Sequence, residues 1–445
     1  MARNIPDNFA TLIGTVSTAL ESSCIPVKTT SKIYTIKLVT PLYGGGVEAG
    51  ENDLSMLIRA SSIRGHLRFW WRAIRGAQYE TASEMQKKEA EIWGSTSQAS
   101  LVKIRVVKQP DIRRGFRAQE QNFGFANFGP EAYALFPARD NPHEHNLLKE
   151  EGEFQLKVTY PKEWDEKEEF QGKFDTNVEA AIWAWVNFGG IGARTRRGCG
   201  ALFCEDLAPP DASGINDWFK KACVKYGIST SSSPKEWPLL PLSFYILGND
   251  QNPLNPMKAW NKALAVYKDF RQGVNVARNP GEQANRPGRS RWPEPETIRE
   301  LAKMRNNRHQ PIQPSHPEAF PRAEFGLPII FHFKDRYEPG DTTLIPALPG
   351  TSEKIERMGS PLIVKPLVLQ DGKHAVPCVV CLKTKRPERV YLKDSGHDEV
   401  SFPVQSEQLQ YDKSPLKGRS TRGSAIEGFL NFLTEPQQNF IKVTR

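Results

Sequence analysis

Residues 177–203 read NVEAAIWAWVNFGGIGARTRRGCGALF, an almost wholly apolar run followed by five glycines and three arginines. The apolar part predicts a helix over 177–187 with Ile182, Trp185 and Val186 on one side, and residues 199–204 read as a short strand. Working outward, IYTIKLVT at 33–40 alternates as a strand, Gly44–Gly46 marks a turn, and LVKIRVV at 101–107 and FQLKVTY at 154–160 alternate again. A further helix, at 62–75, falls between the first two strands. The order is β-α-β-β-α-β, the ferredoxin-like or RNA-recognition-motif arrangement, with a long insertion at 108–152. That insertion carries Arg113, Arg114, Arg117 and the aromatic NFGFANFG, suited either to nucleic acid or to a packed surface loop.

The helix at 62–75 lies in LSMLIRASSIRGHLRFWWRAIRGAQY, Leu54 to Tyr79, which holds five arginines and no acid. Ser61 or Ser62 can cap its first turn and Gly76 can end it. Ile63, Leu67, Trp70, Trp71 and Ile74 share one stripe and read as core, while Arg64, Arg68, Arg72 and Arg75 share a second about 110° away. Like charges at i, i+4 repel unless something anionic relieves them, which points to phosphate; a solvated arginine face is the alternative. Phe69 lies off both stripes, where it could stack on a base.

In the glycine-rich loop, main-chain N–H groups can approach phosphate closely, and Arg194, Arg196 and Arg197 add bidentate donors. The loop is neither a P-loop, because no Gly-Lys-Ser/Thr follows, nor a dinucleotide fingerprint. A flexible basic turn is the plainer reading. These two stretches account for eight positive charges of a formal net +9 in a chain of 445 residues, so the excess is local. Such a length allows two or three domains with self-sufficient cores. Six scattered cysteines, no long apolar run and no leader-like start predict a cytoplasmic chain outside membranes.

The second half predicts helices at 215–226, 256–270 and 422–433 and strands at 327–333, 361–368 and 376–383. Arg271 to Arg308, rich in Pro, Asn and Gly, reads as an extended or partly mobile basic segment. Cys378 and Cys381 form a C-x-x-C inside an alternating strand with no second pair, so no zinc site is predicted. His143 and His145 sit in a polar loop. His66 points away from the arginine stripe, and no acid pair or Ser/His/Asp set stands out, so neither metal, cofactor nor catalytic residue is predicted.

TPLYGGGVEAGENDLSMLIRASSIRGHLRFWWRAIRG followed by IWGS at Ile92–Ser95 resembles the family of first RAMP-superfamily subunits of the type III-B CRISPR effector, the Cmr complex. GGIGARTRRGCGALF is similar to that superfamily's glycine-rich loop, and GRSRWPEPETIREL, FGLPIIFHF and MGSPLIVKP resemble the family's C-terminal half. The resemblance spans about residues 33–370. It implies an α+β fold of two tandem ferredoxin-like domains with insertions, here 1–210 and 211–445. It also implies a non-catalytic subunit on the crRNA 3′-end side of a ribonucleoprotein, contacting crRNA, target RNA and other RAMP subunits. RNA contact carries over to Arg59, Ser62, Arg64, Arg68, Arg72, Arg75, Arg194, Arg196, Arg197 and Lys365. Two other readings stay open: a metal-independent endoribonuclease using His66 as base, and a protein scaffold whose basic patch meets an acidic neighbour.

Overall fold

The computed structural model describes residues 28–46, 50–53, 55–110, 115–117, 130–136, 146–148, 152–248, 253–281, 288–305, 318–333, 335–348, 350–393, 396 and 398–445. Arg113, Arg114, NFGFANFG, His143 and His145 lie outside them.

The first sheet is built from β1 (Thr29–Leu38), β2 (Lys103–Lys108), β3 (Glu153–Pro161) and β4 (Leu202–Phe203). Its spatial order is β2-β3-β1-β4, with every neighbouring pair antiparallel. Alternation aims Tyr34, Ile36 and Leu38 inward with Phe154, Leu156 and Val158, and leaves the intervening residues on the open face. Two helices cross over between strands: α1 (Ala60–Arg75) and, after a second helix α2 (Ala82–Trp93), α3 (Ala180–Phe188).

Helix α1 buries Ile63, Leu67, Trp70, Trp71 and Ile74, the stripe expected from their spacing. Its start differs from expectation. The helix begins at Ala60 with Arg59 as N-cap residue and no side-chain cap, so Ser61 and Ser62 lie within the first turn. Gly76 ends it in a right-handed conformation, leading into a short 3-10 turn at Gly76–Gln78. Glycine is needed there for space: a Cβ would lie 2.5 Å from Trp237 Nε1, which donates to the Gly76 carbonyl at 3.2 Å.

Helix α2 was not anticipated, although Thr81 and Glu84 form a reciprocal capping box at its start. Helix α3 is buried on every side, as befits a helix lodged between the two halves of the molecule.

The second half repeats the scheme. Strands β5 (Ser243–Leu247), β8 (Leu362–Val368), β9 (Ala375–Cys381) and β12 (Phe440–Thr444) form an antiparallel sheet in the order β8-β9-β5-β12. Helix α5 (Pro256–Gln272) follows β5 and helix α7 (Ala425–Leu433) precedes β12. Strand connectivity and order therefore match those of the first sheet. Strands β5 and β12 escaped the sequence reading, because five-residue segments such as SFYIL and FIKVT carry too little periodicity.

Strands β6 (Ile329–Phe331), β7 (Thr342–Pro346), β10 (Arg389–Lys393) and β11 (Ser401–Pro403) make another antiparallel sheet, inserted into this scheme with its own core around Leu344, Val390 and Phe402. A three-stranded sheet pairs Leu42–Tyr43, Asn146–Leu148 and Gly115–Arg117, so part of the 108–152 insertion folds back onto the Gly44–Gly46 turn.

The described part of Arg271–Arg308 is not an extended segment. Helix α6 (Glu294–Ala302) lies within it, and buried Glu296 is ion-paired by Arg289, Arg299 and Arg305. Arg299 also holds buried Glu338 at 2.6 Å, and Arg271 donates to the Tyr133 hydroxyl at 2.7 Å. Arg271, Arg289, Arg299 and Arg305 are thus drawn inward by acids and hydroxyls.

Candidate nucleic-acid interface

Because β1 leads through Gly44–Gly46 into α1, and α3 leads through the glycine-rich loop into β4, the two acid-free stretches meet. Ala193 N–H donates to the Tyr43 carbonyl at 2.7 Å, setting the loop against the Gly44 turn, while Arg59 Nη2 donates to the carbonyls of Gly45 and Gly46. Further along, Arg196 lies over the Phe69 ring of α1 at 5.2 Å. Arg194, in a left-handed conformation at φ 58°, lies over Phe136 at 4.4 Å.

Within this surface the arginines divide by their partners. Arg68 Nε and Arg72 Nη1 each contact Glu89 Oε1 at 2.6 Å. Glu89, supplied by α2, is buried at 3% exposure, whereas the two arginine side chains remain about one third exposed. The stripe that looked uncompensated thus carries an internal acid 21 residues away in sequence. Two guanidinium groups sharing one carboxylate still leave a positive excess facing outward. Arg64 Nη2 donates to the Trp93 carbonyl, the end of α2, and remains partly exposed. Ser62 is half-buried in the first turn of α1.

Three of the expected contact residues are corrected. Arg75 is buried at 7% exposure and donates to the carbonyls of Tyr226 and Gly227, because the α1 stripe turns inward at its last residue. Arg197 spends its donors on the second half: Tyr267 hydroxyl at 2.7 Å and the Leu362 carbonyl at 3.2 Å, with its plane over Tyr267 at 4.4 Å. Lys365, in β8, is fully buried and donates to the carbonyls of Val186 and Gly189 at 2.9 and 3.0 Å. Burial pulls its ammonium down to about 7. Each spends these donors on holding the two halves together.

The glycine loop itself is packed. Gly198 sits at φ 77°, where an added Cβ would meet Trp260 Nε1 at 2.6 Å and the Val364 carbonyl at 2.7 Å. Trp260 Nε1 donates to the Arg197 carbonyl at 2.7 Å, and Gly200, at φ 60°, brings its backbone against Ile191. These contacts set the loop against α5 and β8.

Between α1, the loop and β8 lies a cavity of about 230 Å³ lined by residues that include His66, Phe69, Trp70, Phe188 and Arg196. His66 therefore faces the loop instead of pointing away from the basic surface. Its ring stacks on Trp185 with centroids 6.2 Å apart, and burial lowers its pKa to about 4, so it is neutral at pH 7. Arg196 is pulled down to about 10 by burial and then by Arg197. Its Nη1 is buried without a hydrogen-bond partner among the described residues. Phe69 is half-buried, edge-on to Trp70 at 5.3 Å.

Cys378 is buried and Cys381 half-buried; burial pushes the first thiol up to about 12 and the second to about 11. Among the described residues no three His, Cys, Asp or Glu converge on a metal position, and no helix is long and apolar enough to cross a membrane.

Residues 35–203 match the RAMP superfamily. The chain is 26% identical over 187 residues to the CRISPR system Cmr subunit Cmr1-2 of Pyrococcus furiosus, covering 39% of this chain and 95% of that one. It is 28% identical over 234 residues to subunit Cmr1-1 of the same organism, covering 47% of this chain and 65% of that one. Its fold is similar to crystalline Cmr1 from Pyrococcus furiosus in the apo form, with a TM-score of 0.52 and 15% identity over 93% of this chain and 99% of that one.

Proposed function

We propose, from a chain whose residues 35–203 match the RAMP superfamily and whose relatives are Cmr subunits, that it is a non-catalytic RNA-binding subunit of a type III-B CRISPR ribonucleoprotein effector. Each of its two repeated β-α-β-β-α-β units is read as a ferredoxin-like domain, the first within 1–210 and the second within 211–445. Its place is on the crRNA 3′-end side, where it helps capture target RNA beside other RAMP subunits. The observation that carries the reading is the approach of Arg196 to Phe69, which joins the arginine helix and the glycine loop into one basic surface. On that surface Arg59, Ser62, Arg64, Arg68, Arg72, Arg194 and Arg196 remain as contact candidates. Backbone contacts of this kind carry charge and shape with little base identity, which suits a complex whose specificity comes from guide pairing.

The test is RNA affinity against salt for Arg68→Gln combined with Arg72→Gln. Glutamine is chosen because charge reversal would crowd two further carboxylates around Glu89. Loss of two phosphate contacts should flatten the log–log salt slope by about 1.4 across unrelated single-stranded sequences. An unchanged slope and affinity in a folded variant would remove α1 from the interface. The endoribonuclease reading finds support in His66, a neutral imidazole beside the basic loop. Metal-free cleavage of labelled repeat RNA, abolished by His66→Ala, would favour it over binding without products.

A further inference from the structure

Proposed RNA contact accounts for the rim of the basic surface and leaves the cavity beneath it unexplained. We infer that this cavity takes one nucleobase bearing a ring carbonyl, such as guanine or uracil, turned out of an RNA strand that crosses the arginine helix. The inference rests on the RNA-binding reading and names what that surface would grip.

Three features of the lining select a base. Its walls are aromatic: Phe69, Trp70 and Phe188 with the neutral ring of His66. Such rings hold a planar heterocycle by stacking, which a phosphate cannot do. Among the described residues Arg196 is the one Lys or Arg in the lining, whereas a phosphate site gathers several donors of charge. The volume of about 230 Å³ lies below that of pockets for drug-sized molecules and suits a single ring system.

The second observation is the donor. Arg196 lies over Phe69 at 5.2 Å, and its buried Nη1 has no acceptor among the described residues. A buried donor without a partner is costly, and a base carbonyl entering the slot supplies the missing acceptor. Guanine O6 and the uracil carbonyls fit that role; adenine presents an amino donor where guanine has O6. Thr195 lines the same cavity, and a threonine hydroxyl can accept or donate at a base edge.

The experiment uses the full chain and a mixed-sequence single-stranded RNA carrying 4-thiouridine, with affinity read by fluorescence anisotropy and photocrosslinks mapped by mass spectrometry. Crosslinks on the peptides holding His66–Trp70 or Thr195–Arg196, lost in Phe69→Leu and in Arg196→Gln with RNA affinity about tenfold weaker, are the expected result. Folding of each variant is checked by near-ultraviolet circular dichroism, and Phe69→Leu carries the test if Arg196→Gln unfolds. RNA bound at full strength with crosslinks confined elsewhere would overturn the slot and leave the RNA-binding reading standing. No RNA binding by the wild-type chain would overturn both. In a companion titration, tryptophan fluorescence should respond to guanosine 5′-monophosphate more than to adenosine 5′-monophosphate and not to ribose 5-phosphate. An equal response to ribose 5-phosphate would mark a phosphate site and overturn the base assignment.

Discussion

Lys365 illustrates how a residue that reads as a surface charge becomes a structural pin. It lies in PLIVKPLV, an apolar run without alternation, and β8 is buried at every position. A strand buried on both faces leaves a lysine no solvent side, so it bonds the carbonyls at the end of α3. Its pKa is lowered from 10.5 to about 7, with burial as the chief cause. In the unfolded chain the amine keeps its proton up to its ordinary value, so above pH 7 the unfolded state binds more protons and stability rises with pH. Urea midpoints should therefore climb from about pH 7 to about pH 7.5, below the ordinary thiol value of about 8.5. Beyond that, the buried cysteines, whose pKa values are raised, pull the other way. Lys365→Met should flatten the climb, and a slope equal to the wild type's would show that Lys365 does not set it. The signal for this role was in the sequence, as the missing alternation. Its partners at Val186 and Gly189 were not.

At the scale of elements, the glycine-rich loop was recognisable and its rigidity was not. Spacing marks five glycines near three arginines, but only packing tells which glycines are obligatory. Gly198 combines a positive φ with Trp260 and Val364 closing on its missing side chain. Gly198→Ala should cost about 2 kcal/mol or more and lower the melting temperature by several degrees, with RNA affinity falling as the loop shifts. A melting temperature within one degree of wild type would contradict the packed-loop description. Helix α2 makes the converse case. Its capping box at Thr81 and Glu84 is a local signal, and it delivers Glu89, the acid that neutralises part of the α1 stripe. Charge counted along Leu54–Tyr79 alone misses a partner brought in by the next helix.

For the whole molecule, the two repeated sheets enclose a common core. One hydrophobic cluster runs from Tyr34 through Trp183 and Phe219 to Ile363, Cys378 and Val443, across the 210/211 boundary proposed between domains. Helix α4 (Ile215–Lys225) contributes Ile215, Phe219 and Cys223 to that cluster. Arg197 and Lys365 bond across the same junction. The full chain should accordingly unfold in one calorimetric transition, with van't Hoff and calorimetric enthalpies equal. Two resolved transitions would instead establish independent halves. Composition and periodicity by themselves determined the amphipathic stripe of α1, the tryptophans at its core, the β-α-β-β-α-β order of the first half and the local placing of the charge. The tertiary structure alone decided which of those arginines remain exposed. Periodicity is a property of neighbours along the chain, whereas burial and charge compensation depend on segments 21 residues away for Arg68 and Glu89, and 165 for Arg197 and Leu362.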